Sequence, residues 1–306
     1  LADTHLQFIL PSPIQPICLD AAQELNIQVY LKREDLIHPL LPGNKWRKLK
    51  YNLEEAHTQE KQTILTFGGA YSNHIYSVAA AGKLFGFHTI GLIRGEAITP
   101  LNATLSFAKN CGMELHYVDR ATYRHKEDFA YQEGLRQKYG DFYLIPEGGS
   151  NALAVKGCAE IPEEIHEPYD YLCCPCGTGG TLAGLVAGAA GYGKIMGFAA
   201  LKGGAFLAAE VQQLLASYTQ LRGKTCDFHN YQIQTDYHFG GYAKVKPALL
   251  DFIRKFEQAN SILLEQVYTG KMLFGIEDLI KKGFFASGTK IIALHTGGLQ
   301  GRTDKL

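Results

Sequence analysis

No apolar run in this chain is long enough to cross a bilayer: the longest, around Leu182 to Ala190, is short and interrupted by glycines. The N-terminus also lacks a basic, apolar, small-residue leader. Both absences predict a cytoplasmic protein. Excess charge of either sign is missing as well, since 30 Lys plus Arg balance 30 Asp plus Glu in 306 residues. No net field then draws in nucleic acid or an anionic membrane, and a small molecule is the expected partner. Cysteine is too sparse for a disulfide framework: there are 7, an odd number that leaves at least one thiol unpaired. Cys173, Cys174 and Cys176 crowd together, but no second Cys/His pair stands at zinc-ligand spacing, so they read as structural and no metal is expected.

The length fits two α/β units or one large one. Short β-type runs alternate with amphipathic stretches, the pattern of parallel sheets covered on both faces by helices. Strands are expected at Ile27–Lys32, Gln62–Phe67, Thr89–Ile93, Glu114–Val118 and Tyr143–Ile145. Helices are expected at Lys45–His57, Asn73–Phe85, Thr99–Cys111 and Lys126–Tyr139. In the second half Tyr169–Cys174, Lys194–Ala200 and Ile291–His295 read as strands, and the alternation at Tyr231–Thr235 marks a short one. No repeat or low-complexity linker separates the halves.

Three clusters carry possible chemistry. Cys176-Gly177-Thr178-Gly179-Gly180-Thr181 follows a strand and precedes a helical run. Glycines let the backbone approach an anion closely, the helix N-terminus favours negative charge, and the threonine hydroxyls donate; the plain alternative is a tight strand-to-helix turn. Leu182 occupies the third glycine position of a dinucleotide fingerprint and no lysine makes a Walker loop, so a phosphate other than a nucleotide's is indicated. Upstream, Lys45 opens a predicted helix in Gly43-Asn44-Lys45-Trp46-Arg47-Lys48. Desolvation and the positive helix end would favour the free amine that a Schiff-base nucleophile needs. Taken alone, however, the cluster of Lys32, Arg33, Lys45, Arg47, Lys48 and Lys50 reads as a solvated basic face. The third cluster, Gly68-Gly69-Ala70-Tyr71-Ser72-Asn73-His74, offers donors for a carboxylate at a helix start, or equally an ordinary N-cap.

In this order the clusters resemble the fold-type II pyridoxal 5′-phosphate (PLP) enzymes, and most closely the D-cysteine desulfhydrase and 1-aminocyclopropane-1-carboxylate (ACC) deaminase family. The resemblance spans nearly the whole chain, through Lys32-Arg33-Glu34-Asp35, Gly43-Asn44-Lys45, Ser72-Asn73-His74, Ile145-Pro146-Glu147-Gly148-Gly149-Ser150, Cys176–Thr181, Val267-Tyr268-Thr269-Gly270-Lys271 and His295-Thr296-Gly297-Gly298. It implies a tryptophan synthase β-like fold of two α/β domains, a small one inserted at 49–157 and a large PLP-binding one built from 1–48 and 158–306. It implies a homodimer too.

By position, the resemblance makes Lys45 the Schiff-base lysine, Asn73 the partner of the cofactor's 3′-oxygen, and Gly177, Thr178, Gly179, Gly180 and Thr181, after Cys176, the phosphate cradle. Ser72 would face the substrate carboxylate, with Tyr71, Asn73 and His74 around it, and Tyr242 and Tyr268 fall where the family places active-site tyrosines. Thr269 stands where the deaminase pattern has glutamate near the pyridine nitrogen, and it resembles the desulfhydrase choice, as does His74. Tyr71, in place of the usual glutamine, and the bulky Trp46 depart from both patterns.

The resemblance therefore implies a PLP-dependent lyase or deaminase that eliminates a β-substituent from a small amino acid, most like a D-cysteine desulfhydrase, giving pyruvate, ammonia and sulfide. ACC deamination is the nearest enzymatic alternative, and a non-catalytic PLP-binding protein the alternative from another class.

Overall fold

The computed structural model describes residues 7–223 and 228–306. Along the chain run β1 (Ile14–Pro16), α1 (Asp20–Glu24), β2 (Gln28–Lys32), α2 (Asn44–Thr58), β3 (Thr63–Gly69), α3 (Asn73–Phe85), β4 (His88–Arg94), α4 (Ala103–Asn110), β5 (Glu114–Val118), α5 (Arg120–Tyr123), α6 (Phe129–Tyr139) and β6 (Tyr143–Ile145). The second half holds α7 (Ala152–Glu163), β7 (Tyr171–Cys176), α8 (Gly180–Ala189), β8 (Lys194–Ala199), α9 (Leu207–Arg222), β9 (Tyr231–Gln234), α10 (Pro247–Asn260), α11 (Thr269–Lys281) and β10 (Lys290–Leu294). Two sheets result, one ordered β1-β2-β10-β7-β8-β9 and the other β5-β4-β3-β6. Every pairing is parallel except β1 with β2. This is the α/β architecture the alternating pattern predicts.

Both faces of the larger sheet are covered, which is why its strands read as apolar runs rather than alternating ones. In β10, Ile291 and Ala293 join a core with Met272 and Ile276 of α11, while Ile292 and Leu294 join one with Leu182 and Leu185 of α8. The same pleat sorts the cysteines: Cys173 points into the first core, Cys174 and Cys176 into the second. They fill the space of small apolar side chains, and the six cysteines of the described residues are free thiols. In the smaller sheet Ile64 packs with α3, and Leu65 and Phe67 with Tyr123 and Leu135. Among the described residues no helix is long and apolar enough to cross a membrane.

Expected and observed bounds differ where local chemistry intervenes. The helix expected from Thr99 starts at Ala103, because Asn102 caps it by accepting from the Leu105 N–H at 2.9 Å. That expected at Lys126 starts at Phe129. The strand expected to end at Cys174 continues to Cys176, with Pro175 held in register opposite Phe198. Helices α7, α9, α10 and α11 are absent from the sequence reading of this half.

In the larger sheet β2, β7, β8 and β10 end in Lys32, Cys176, Ala199 and Leu294, and in the smaller β3, β4 and β6 end in Gly69, Arg94 and Ile145. The loops that leave these carboxyl ends meet: a Cβ on Gly148 would lie 2.7 Å from Thr178 Oγ1, and one on Gly298 would lie 2.5 Å from Asn73 Nδ2. Carboxyl ends of parallel strands are where α/β sheets place ligands.

Candidate active site

Helix α2 carries the first part of the site, and buried charge holds it in place. Arg47, 0% exposed, grips Glu34 with two bonds of 3.0 and 3.1 Å and Glu164 with two of 2.7 and 2.8 Å. Lys32 donates to Glu164 at 3.2 Å and to the Ser12 carbonyl at 3.0 Å, while Ser12 Oγ donates to Glu34 at 2.6 Å. The basic cluster is therefore not a solvated face: Lys32, Arg47 and Lys48 are buried, and Arg33, Lys45 and Lys50 half-buried. Glu160 of α7 and Glu164 at its C-cap, which neutralise much of it, lie more than 100 residues away in sequence.

On this anchored helix Lys45 Nζ donates to Asn44 Oδ1 at 3.1 Å, and Asn44 Nδ2 donates to Thr181 Oγ1 at 2.7 Å. Because Thr181 Oγ1 accepts there, its own hydrogen stays free for an anion. Lys48 Nζ donates to the Gly148 carbonyl at 3.0 Å, to Ser150 Oγ at 3.0 Å and to Thr178 Oγ1 at 3.4 Å. Ser150 Oγ and Thr178 Oγ1 lie 2.6 Å apart. Burial first, then the charge of Lys48, pushes the Lys45 amine down to about 7, with Cys158 opposing; burial also lowers Lys48. Neither ammonium has a carboxylate partner among the described residues. Two buried amines beside a glycine loop, lacking a counter-charge, fit a ligand that brings a phosphate and an electrophilic carbon.

The loop itself depends on glycine. Gly179 has φ +78°, and α8 begins at Gly180, where any Cβ would lie 2.7 Å from Ser150 Oγ and 2.9 Å from Lys48 Nζ. Cys176 contributes only backbone, its Sγ turned to the core 3.9 Å from Cys174 Sγ. Tyr268 leans over the first glycine: a Cβ on Gly177 would lie 3.2 Å from its hydroxyl. Tyr242 packs edge-on against Tyr268, with ring centroids 6.0 Å apart.

Glu265 fixes the Tyr268 segment by accepting from the N–H groups of Val267 (2.5 Å), Tyr268 (2.9 Å) and Thr269 (2.5 Å). Burial raises its carboxyl to about 6 against the pull of those N–H groups and of Lys271. Thr269 is buried, with Oγ1 3.5 Å from Thr296 Oγ1. Lys271 donates to the carbonyls of Ala200, His238 and Gly241, which pins the loop before Tyr242.

Ser72 is the N-cap of α3, its Oγ accepting from His74 N at 3.2 Å and Ile75 N at 3.3 Å. Capping leaves its hydrogen free to donate, so the two readings of this turn are compatible. Asn73 Oδ1 accepts from Gln300 at 2.8 Å, which leaves Nδ2 as a free donor. Lys45, Asn73, Tyr268, Thr269 and the Gly177–Thr181 loop are thus brought together. Tyr71 is 66% exposed and stands apart, and the His74 ring turns inward onto Thr66 rather than toward the Ser72 turn. Lys48, Asn44, Gln300 and Glu265 were not foreseen; of these, Lys48 was accessible, because a residue three beyond Lys45 shares its helix face.

The family described as pyridoxal-phosphate dependent enzyme matches residues 6–297. The chain is 31% identical over 301 residues, 95% of its length and 90% of the relative's, to a Pyrococcus horikoshii protein provisionally named as an ACC deaminase. It is 28% identical over 320 residues to the bifunctional D-cysteine desulfhydrase/ACC deaminase of Arabidopsis thaliana, named as mitochondrial, covering 97% of this chain and 78% of that one. A crystal structure of an ACC deaminase homologue superposes with a TM-score of 0.84 at 29% identity, over 96% of this chain and 91% of that one. A family match over nearly the whole chain and a relative 31% identical across it agree with a lysine that lacks a carboxylate partner among the described residues and stands beside a glycine cradle, and the chain belongs to the pyridoxal-phosphate dependent enzyme family, with PLP as its cofactor.

Proposed function

We propose that the protein catalyses β-elimination from a small amino acid, releasing ammonia, and that D-cysteine is its preferred substrate. The observation that carries the reading is the Lys45 amine, lowered toward neutrality and held by Asn44 beside the Gly177–Thr181 cradle. Lys45 would hold the aldehyde carbon of PLP, the Thr178 and Thr181 hydroxyls its phosphate, with the charge of Lys48 behind them, and Asn73 Nδ2 its 3′-oxygen. When bound, PLP supplies the electron sink for negative charge developing at the substrate α-carbon. Lys45 takes the α-proton, for which an amine poised near working pH is suited. Ser72 Oγ and the N–H groups of its turn bind the carboxylate. Tyr268 and Tyr242 orient the departing group, and as phenols both are protonated at neutral pH, with desolvation raising them further. The same reading takes 49–157 as a small domain that closes on the remainder, and a cytoplasmic homodimer as the working form.

D-cysteine is favoured over ACC by Thr269. A neutral hydroxyl, set against Thr296 rather than a charge, cannot hold the ring nitrogen protonated as a carboxylate can, and the weaker sink suffices when the leaving group is good. ACC is the second reading, supported by the names of the relatives. Steady-state ammonia release from D-cysteine, L-cysteine, D-serine and ACC, with sulfide measured for the thiols, separates them. The highest kcat/KM is expected for D-cysteine; turnover of ACC alone would overturn the choice. Thr269→Glu is expected to move the ratio of kcat/KM values toward ACC, and an unchanged ratio would remove Thr269 as the discriminator.

A further inference from the structure

One buried acceptor in the site has no donor. His74 is 2% exposed, and its Nε2 lies 2.7 Å from Thr66 Oγ1. The Thr66 hydroxyl donates to the Ile145 carbonyl at 2.8 Å, so the hydrogen shared with the ring belongs to Nε2. Burial, with Lys45 and Lys48 adding to it, keeps the ring neutral. Nδ1 is therefore a bare lone pair, and none of the described residues donates to it. A Cβ on Gly149 would lie 3.3 Å from Nδ1 and 3.6 Å from Lys48 Cβ, which puts this edge of the ring on the wall formed by α2 and the 147–149 turn.

Buried acceptors are expected to find donors. Lys45 and Lys48 are the cationic groups acting on the ring. Lys48 has three N–H groups and already three acceptors: Gly148, Ser150 and Thr178. Among the described residues Lys45 has only Asn44 Oδ1. The spare N–H of one residue matches the spare lone pair of the other.

We infer that His74 is a positioning residue for Lys45: its Nδ1 accepts an N–H from the Lys45 ammonium whenever that group is free of the cofactor, giving it two fixed acceptors, Asn44 and His74. The inference rests on Lys45 being the cofactor lysine. The Thr66 and Ile145 bonds hold the ring in the tautomer that receives it.

Two substitutions separate this role from a structural one. Asparagine places its amide near the Nδ1 position and glutamine near Nε2, so His74→Asn keeps the acceptor and His74→Gln keeps the bond to Thr66. In PLP-stripped protein the rate of PLP recapture is followed against pH. Lys48 and Cys158, the other groups acting on Lys45, are the same in both variants. An acceptor stabilises the ammonium, so His74→Gln is expected to lower the recapture midpoint by about one pH unit, for a charge-assisted bond of ordinary strength, and to reduce kcat roughly tenfold with little change in KM. His74→Asn is expected to keep the wild-type midpoint even though it melts lower. The reverse order, or unmoved midpoints in both, overturns the inference. Should His74→Asn not fold, 15N spectra of histidine-labelled wild type decide: the Nδ1 resonance of His74 moves on stripping PLP in the wild type and not in Lys45→Ala, and a resonance indifferent to both overturns it. If borohydride fails to fix PLP on Lys45 in the wild type, the cofactor assignment fails; fixation with an unmoved midpoint removes only the role of His74.

Discussion

Replacing Gly180 with alanine sets two opposed effects against each other. In the first turn of a helix, alanine in place of glycine normally gains roughly 0.5–1 kcal/mol, because glycine loses more backbone freedom on folding. Here the added methyl would lie 2.7 Å from Ser150 Oγ, 2.9 Å from Lys48 Nζ and 3.1 Å from Lys48 Cε. These are the atoms of the 3.0 Å bond from Lys48 to Ser150, which continues to Thr178 at 2.6 Å. These are side-chain ends that can move aside, so the cost lies in the charge-assisted bond they would break in moving, about 1.5–3 kcal/mol. The clash outweighs the propensity gain. Gly180→Ala should therefore melt below the wild type. It should also bind PLP about ten- to a hundredfold more weakly, the equivalent of one lost bond to a charged donor, as read from titration of the stripped protein by ring absorbance. A variant that melts at or above the wild-type temperature and binds PLP within twofold would refute the placement of Lys48 and Ser150 behind the phosphate.

Glu34→Gln withdraws one of the three carboxylates paired with the fully buried Arg47, and the only one of them that is itself fully buried. Leaving such a charge underpaired costs about 3 kcal/mol, so the urea midpoint should fall accordingly; a loss below about 0.5 kcal/mol, the size of an ordinary surface substitution, would show that this network does not lock α2 onto α7. PLP recapture by stripped protein should climb as pH rises through about 7, because Lys45 releases its proton there. A midpoint in the normal lysine range would mean that the amine is solvated. The linked effect on stability has a definite sign: between about 7 and 10.5 the unfolded chain holds a proton at Lys45 that the folded one has released, so this group's contribution to stability rises with pH across that window.

Short-range chemistry was legible in the sequence, and long-range pairing was not. The bounds of α3, β5 and β6 match their expected ones because apolar spacing and the Ser72 cap are local. The Cys176–Thr181 loop was readable for the same reason, since glycines, hydroxyls and the strand-to-helix order all lie within a few residues. The basic cluster misled when read alone, because the carboxylates that bury Arg47 lie 13 and 117 residues away. Gln300, which orients Asn73 from 227 residues further on, carries no local signal at all. Glu265 was hidden differently: a glutamate four residues before Thr269 looks like surface until three successive N–H groups are seen to converge on it. The orientation of His74 was not legible, because it depends on Thr66 and the end of β6.

The central claim is that Lys45 is the residue that holds PLP. Borohydride reduction of the PLP-loaded protein, followed by peptide mass mapping, tests it directly. The account predicts a single phosphopyridoxyl adduct on Lys45 and none on Lys48, the neighbouring buried amine. An adduct on Lys48, or no adduct in protein that has bound PLP, would contradict it.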